Sequence, residues 1–155
     1  MMIRKWLVFS LTAGILVAIG VLAGPGRSRA DDKETPLGKI MERVNKNNST
    51  IQKGVRTKVA FAKAQKDVEK SAKAIAKLAK EAKPITDAVK KAKDVANPQK
   101  TWDDFMDELI KKCEHLGKVA AKPDATFQDA KAAFGEVKKV CTDCHKDFRV
   151  DEDKF

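Results

Sequence analysis

The feature that most constrains the fold is a regular apolar line near the C-terminus. Between residues 127 and 148, apolar side chains recur at steps of three and four: Phe127, Ala130, Phe134, Val137, Cys141, Cys144 and Phe148. Such steps place side chains on one face of an α-helix. Thr126 and Asp129 supply the start signal of that helix. The segment therefore predicts a long amphipathic helix whose buried face ends in two cysteines.

Two earlier segments show the same periodicity. The first helix is predicted to begin with Thr35 as its cap and Pro36 in its first turn, and to end near Gly54. Its apolar face comprises Leu37, Ile40, Met41, Val44, Ile51 and Val55. The second is predicted over about residues 57–82 and ends before Pro84. Its apolar face comprises Phe61, Ala64, Val68, Ala72, Ile75, Ala79 and Ala82.

A further long helix is predicted to start at a capping box formed by Thr101 and Asp104. Its apolar face comprises Trp102, Phe105, Met106, Leu109, Ile110, Cys113 and Leu116. The connection before it has room for a short extra helix, and no segment shows the alternation of a strand. Four long helices joined by fairly short loops predict an all-α fold, an antiparallel up-down-up-down four-helix bundle.

The N-terminus has the features of an export signal. A basic head at Arg4 and Lys5 precedes an apolar run, and "SRA" at 28–30 puts small residues before a cleavage site. We therefore predict a signal peptide over residues 1–30, a mature bundle domain over residues 31–155 and a periplasmic location. An uncleaved membrane anchor is the alternative, because an apolar run of about 18 residues is at the lower limit for a membrane span.

The last predicted helix ends with the cluster Cys141, Cys144 and His145. On a helix these three side chains project toward one object, because they are three and four residues apart. Two thiols can form thioether bonds with the vinyl groups of a haem, and the adjacent imidazole can bind its iron. An antiparallel bundle brings four further side chains to this end: Met41, Trp102, Phe105 and Met106.

Three other chemistries use a similar spacing. A thioredoxin-like dithiol would need its first cysteine at a helix N-terminus after a strand, whereas this pair lies at a helix C-terminus. A zinc site would need a fourth ligand from Cys113 or His115, which lie further down the third long helix. A structural disulfide is the last alternative.

The stretch "CTDCHKDFR" resembles the ending of class II c-type cytochromes, the cytochrome c′ group, which hold a haem near the C-terminus of a four-helix bundle. The resemblance implies one covalent haem c, with Cys141 and Cys144 as the thioethers and His145 as the proximal iron ligand. It also implies two kinds of member: a low-spin electron carrier with a methionine of the first helix on the iron, and a five-coordinate form that binds a small gas such as nitric oxide. The Lys- and Ala-rich second helix departs from the usual pattern and leaves the partner surface open.

Met41 is the methionine that the low-spin form requires. It lies on the apolar face of the first helix, at the predicted level of His145. We therefore expect Met41 to be the distal iron ligand. Met106 and an open iron site are the alternatives, and so is a role for Met41 in packing alone.

Other residues near this end have more modest expected roles. Arg149 is a candidate for contact with a haem propionate, with Lys39 and Arg43 as weaker candidates, and a solvated side chain is the first interpretation of each. His115 is expected to be a surface residue, and Cys113 a buried, unpaired core residue.

The second predicted helix carries a row of lysines. Residues 53–93 contain 13 basic and 4 acidic residues. Six lysines recur at steps of three and four opposite the apolar face: Lys63, Lys66, Lys70, Lys73, Lys77 and Lys80. No aromatic residues are interleaved for base stacking, so nucleic acid is not expected as a partner. A solvated face is the first interpretation, and docking to an acidic redox partner is the second.

Together these features predict an exported monohaem cytochrome that carries one electron between redox partner proteins and is not an enzyme. It is expected to be a monomer or a homodimer, with membrane contact only if the N-terminal segment is retained. A five-coordinate gas-binding cytochrome is one alternative. A helical interaction protein without haem, which uses the basic face, is the other.

Overall fold

Helices make up the regular structure of the described chain. The computed structural model describes residues 35–92 and 94–148, in which no strand is present. The helices are α1 (Pro36–Gly54), α2 (Lys58–Ala82), α3 (Asp87–Lys91), α4 (Pro98–Ala121) and α5 (Phe127–Phe148). The predicted signal peptide, its anchor alternative and Arg149 lie outside the described residues. None of the helices in residues 35–92 and 94–148 is long and apolar enough to cross a membrane.

Three helix starts follow the threonine signals in the sequence. Thr35 and Thr57 each accept a hydrogen bond from the backbone N–H three residues later, at 3.0 and 3.1 Å. Before α5, the Thr126 hydroxyl accepts from the Asp129 N–H at 3.1 Å and donates to the Asp129 carboxylate at 2.7 Å. Each threonine thus satisfies a backbone donor that has no partner within the helix. The predicted starts of α1, α2 and α5 are confirmed.

The predicted start of α4 at Thr101 is wrong. The helix begins at Pro98 with Asn97 as its N-cap residue, and the Thr101 N–H donates to the Asn97 carbonyl at 2.9 Å. Proline is favoured at the first helical position because its fixed φ suits the helix and its missing N–H is not needed there. Thr101 therefore lies inside the first turn. The short extra helix that the connection allowed is present as α3.

The four long helices pack in chain order around a shared core. α1 packs on α2, α2 on α4 and α4 on α5, whereas α1 and α5 approach each other closely at few positions within the described residues. The largest fully buried side chains are Ile51, Ile75, Met106, Leu116, Val68, Val137 and Cys113. At the α1–α2 crossing, a Cβ added to Gly54 would lie 2.6 Å from Val68 Cγ2, so only glycine permits this approach. The predicted all-α four-helix bundle is confirmed.

Three contacts show which helix ends meet. Arg43 near the start of α1 pairs with Glu81 near the end of α2 at 3.6 Å. Trp102 near the start of α4 donates from Nε1 to the carbonyl of Lys83 at 3.1 Å. The ring of Trp102 also lies 5.3 Å from that of Phe148 at the end of α5. The start of α1, the end of α2, the start of α4 and the end of α5 therefore lie together, as the antiparallel arrangement requires.

Candidate functional site

The last two turns of α5 carry the cysteine and histidine cluster. Cys144 is buried, Cys141 is half-buried and His145 is exposed. At about 100° per residue, His145 lies about 40° around α5 from Cys141, and Cys144 lies about 60° away on the other side. The three side chains therefore share one edge of the helix, running from the core to its rim.

The direction of this edge follows from the packing of α5 on α4. Glu136 of α5 pairs with Lys112 of α4 at 3.1 Å. At about 100° per residue, His145 lies about 180° around α5 from Glu136, and Cys141 about 140°. His145 is thus turned away from the Lys112–Glu136 contact with α4. Cys141 lies within about 20° of Phe148, whose ring contacts α4, and it adds to burial in raising the pKa of Cys113 in α4. Cys141 therefore lies toward α4 and the core, and His145 lies at the rim.

The apolar face of α1 is fully buried at only one end of the helix. Ile51 and Val55, at the far end of the bundle, are 0% and 4% exposed. At the end that meets the cysteines, the apolar residues are only half-buried: Leu37, Ile40, Met41 and Val44. At about 100° per residue, Met41 lies about 140° around α1 from Gly54, which contacts α2. Met41 therefore lies on the side of α1 away from the contact of Gly54 with α2, and it packs against the edge of the core.

Aromatic side chains from α4 and α5 form the base of the site. Trp102 is 2% exposed, and its ring meets that of Phe148 edge to face. Phe105 is half-buried and lies 6.3 Å from Phe148. Met106 is also 2% exposed and belongs to the core, so the structure places it among packing residues. Sequence periodicity predicted that Trp102, Phe105, Met106 and Phe148 are each buried. It did not predict the hydrogen bond from Trp102 to the carbonyl of Lys83, for which the position of Lys83 just after α2 is the only sequence clue.

Charged groups near the site are mostly paired. Arg43, one candidate for a propionate contact, instead pairs with Glu81. Asp143 accepts hydrogen bonds from Lys139 at 2.5 Å and Lys146 at 2.9 Å, and both lysines lower the pKa of its carboxyl. The negative charge of Asp143, which lies between the two cysteines, is therefore largely neutralised by these two lysines at the helix surface.

The three thiols are unbridged and weakly acidic. Burial raises the pKa of Cys113 and of Cys144 to about 12, and raises that of Cys141 as well. A thioredoxin-like dithiol needs a lowered thiol pKa, so these surroundings do not favour that chemistry. Within residues 35–92 and 94–148, no three His, Cys, Asp or Glu side chains are grouped to hold a metal ion, and the zinc site considered above is not assembled there. His115 is exposed and Cys113 fully buried, as expected.

The buried thiol of Cys113 gives a first testable prediction. The thiolate is the species that alkylating reagents attack, and at pH 8 a pKa of about 12 leaves only about one thiol in ten thousand ionised. If Cys141 and Cys144 are bonded to a cofactor, as the sequence predicts, native protein treated with iodoacetamide at pH 8 should stay unlabelled by mass spectrometry, whereas protein in denaturant should gain one label. Labelling of Cys113 in the native protein at the denatured rate would contradict its burial.

The residues gathered here fit a large, mostly apolar ring system that contains a metal. Two thiols and an imidazole lie on one edge of α5, and half-buried apolar side chains of α1, including a thioether, lie at the same end of the bundle. Soft sulfur and imidazole donors suit iron held in a haem. The donor set and its apolar surroundings therefore match a covalently bound haem better than a bare ion.

Comparison with known protein families gives a match over most of the chain. The family model described as Cytochrome C' matches residues 38–149, which include Met41, both cysteines of the cluster and His145. Members of this family bind haem c covalently and are typically exported to the periplasm. No curated protein and no solved structure shows significant similarity to the chain.

Proposed function

The chain belongs to the cytochrome c′ family and so binds haem c covalently, and we propose that it is an exported carrier of one electron between redox proteins. Cys141 and Cys144 hold the thioether bonds, His145 is the proximal iron ligand and Met41 is the distal one. The observation that supports this assignment is the placement of Met41 and His145. The Arg43–Glu81 pair joins the first half of α1 to the end of α2, and Trp102 joins the end of α2 to Phe148 in α5, so Met41 and His145 lie at the same end of the bundle.

Haem c, when bound, supplies the iron that accepts and releases the electron. The chain supplies the conditions under which this happens. The thioethers of Cys141 and Cys144 fix the ring to α5 and so fix His145 relative to it. A thioether ligand from Met41 favours reduced iron and keeps the coordination constant between the two oxidation states. Buried Trp102 excludes water from the base of the site. No substrate is transformed, so the proposed role is not enzymatic.

The visible spectrum of protein matured with haem tests this proposal. Coordination by His145 and Met41 should give narrow low-spin bands in the reduced protein and little binding of carbon monoxide. A broad high-spin spectrum with ready binding of carbon monoxide would instead support the five-coordinate, gas-binding alternative. Haem that is removed by acid and acetone would overturn covalent attachment through Cys141 and Cys144.

For the redox partner we propose a protein with an acidic docking surface, which meets the lysine row of α2. Lys73 pairs with Glu69 at 2.6 Å and Lys80 with Glu114 at 2.9 Å. The remaining lysines of the row are exposed, and none has an ion-pair partner within the described residues: Lys63, Lys66, Lys70 and Lys77. Like charges three and four residues apart repel along a helix, so this row is available to an external anion.

Exchange of two row lysines for glutamine should slow reaction with an anionic oxidant. In reduced protein with Lys70→Gln and Lys77→Gln, oxidation by hexacyanoferrate(III) at low ionic strength should be about twofold slower than in wild type. Salt should reduce the difference, because it screens exposed charges. The control is Lys111→Gln with Lys118→Gln, exposed lysines of α4 that change the net charge equally. Equal slowing in both variants, or a rate independent of salt, would remove the role of this row.

A further inference from the structure

We propose that Trp102 and Phe148 form an aromatic clamp that positions His145 for coordination. The proposal rests on the proposed role of His145 as the proximal iron ligand. Phe148 follows His145 by three positions in α5, so the two residues lie within one turn of the helix. The rings of Phe148 and Trp102 lie 5.3 Å apart at 72° between their planes, within the range in which edge-to-face aromatic pairs attract.

Trp102 is itself held at a fixed place. It is 2% exposed, and its Nε1–H donates to the carbonyl of Lys83 at 3.1 Å. Lys83 directly follows the last residue of α2, where backbone carbonyls have no partner within the helix. The hydrogen bond therefore satisfies an otherwise orphan acceptor and ties α4 to the end of α2. Phe148 thus packs against a side chain that two helices hold in place.

A second ring supports the same turn. Phe105 lies one turn after Trp102 in α4. The centre of its ring is 6.3 Å from that of Phe148, with 86° between the two ring planes. Phe148 is 7% exposed, so its ring is enclosed by these neighbours and does not simply cover the helix end. Two edge-to-face contacts to α4 fix the ring in both position and rotation.

The clamp matters because Phe148 and the proposed iron ligand lie within one turn of α5, so a contact that holds Phe148 also restrains the backbone of His145. The direction of an imidazole ligand is set by its backbone and by the groups around it, and that direction tunes the metal. By holding Phe148, α4 holds the backbone of His145 and so limits the orientations of its imidazole. Trp102 and Phe148 are therefore positioning residues.

The test uses the matured haem protein and compares Phe148→Leu, Trp102→Leu and the double variant with wild type. We expect amide hydrogen exchange at residues 144–147 to speed up by about tenfold in each single variant, the loss that one strong aromatic pair implies. We also expect the electron paramagnetic resonance spectrum of the oxidised haem to broaden or split, because the imidazole takes up several orientations. The double variant should change little beyond either single one, since the rings act as a unit.

Phe134→Leu is the matched control. Phe134 is 4% exposed in the same helix, but it lies 11 residues before His145, about 16 Å along α5. It should lower the free energy of unfolding while leaving the resonance spectrum and the exchange at residues 144–147 unchanged. Trp102→Phe keeps a ring at position 102 and removes only the hydrogen bond to Lys83, so we expect an effect between those of wild type and Trp102→Leu.

The clamp would be overturned if Phe148→Leu kept the wild-type paramagnetic resonance spectrum and the wild-type hydrogen exchange at residues 144–147. It would also be overturned if the effects of the two substitutions added in the double variant. If Phe148→Leu fails to mature, Trp102→Leu decides, because it removes the partner ring and leaves α5 unaltered, and an unchanged resonance spectrum would then contradict the proposal. The clamp and the proposed function fail separately. The wild-type visible spectrum alone reports whether Met41 binds the iron, whereas the clamp is judged from the difference between variant and wild type at His145.

Discussion

Replacement of both Cys141 and Cys144 by alanine should abolish covalent attachment of haem. The cysteine thiols are the groups that bond to the porphyrin, and without them only coordination by His145 and apolar contact would remain. We expect complete loss of haem staining on a denaturing gel and full extraction of the cofactor by acid and acetone. Each single variant should retain haem through one thioether.

Cys113→Ala is the matched control for this result. Cys113 is fully buried in α4 and faces the core, so its loss removes a small apolar side chain without touching the attachment site. It should lower the free energy of unfolding by about 1 kcal/mol, as small core truncations do, and leave haem staining unchanged. Covalent haem in the Cys141→Ala, Cys144→Ala protein, or its loss in Cys113→Ala, would show that the attachment residues are assigned wrongly.

The architecture of the bundle was readable from the sequence because local signals and long-range packing agree. The apolar line of α5 and the threonines before α1 and α5 predict elements that the structure contains. The start of α4 was misplaced because Thr101 and Asp104 form an acceptable capping pattern, yet Asn97 and Pro98 begin the helix one turn earlier. Once proline supplies the first turn, the hydroxyl of Thr101 has no terminal N–H left to cap.

The site was only partly predictable from the sequence. Periodicity places Met41 and Val55 on the same face of α1. It cannot show that Val55 is fully buried by neighbouring side chains while Met41 is only half-buried. That difference depends on which side chains of the neighbouring helices pack against each end of α1, which is a property of the tertiary packing. In the same way, Trp102 and Phe148 are 46 residues apart, and only the register of α4 against α5 brings their rings together.

Met41→Ala should convert the low-spin haem to a high-spin form. If the thioether of Met41 is the sixth ligand, its removal leaves His145 as the only protein ligand on the axial positions, and carbon monoxide should then bind readily to the reduced protein. The reduction potential should fall by an amount on the order of 100 mV, a fraction of the roughly 0.8 V that axial ligands span. Visible spectra of both oxidation states and a redox titration measure these changes.

Two controls separate ligation from packing at Met41. Met41→Leu keeps the apolar volume and removes the sulfur, so ligation predicts the same spectrum as Met41→Ala, whereas a packing role predicts recovery of the wild-type spectrum. Met106→Ala removes the other inward methionine, which is 2% exposed. It should lower the free energy of unfolding by about 2–5 kcal/mol, as buried methionine truncations do, and leave the iron low-spin. A low-spin spectrum in Met41→Leu together with a high-spin spectrum in Met106→Ala would transfer the distal role from α1 to α4.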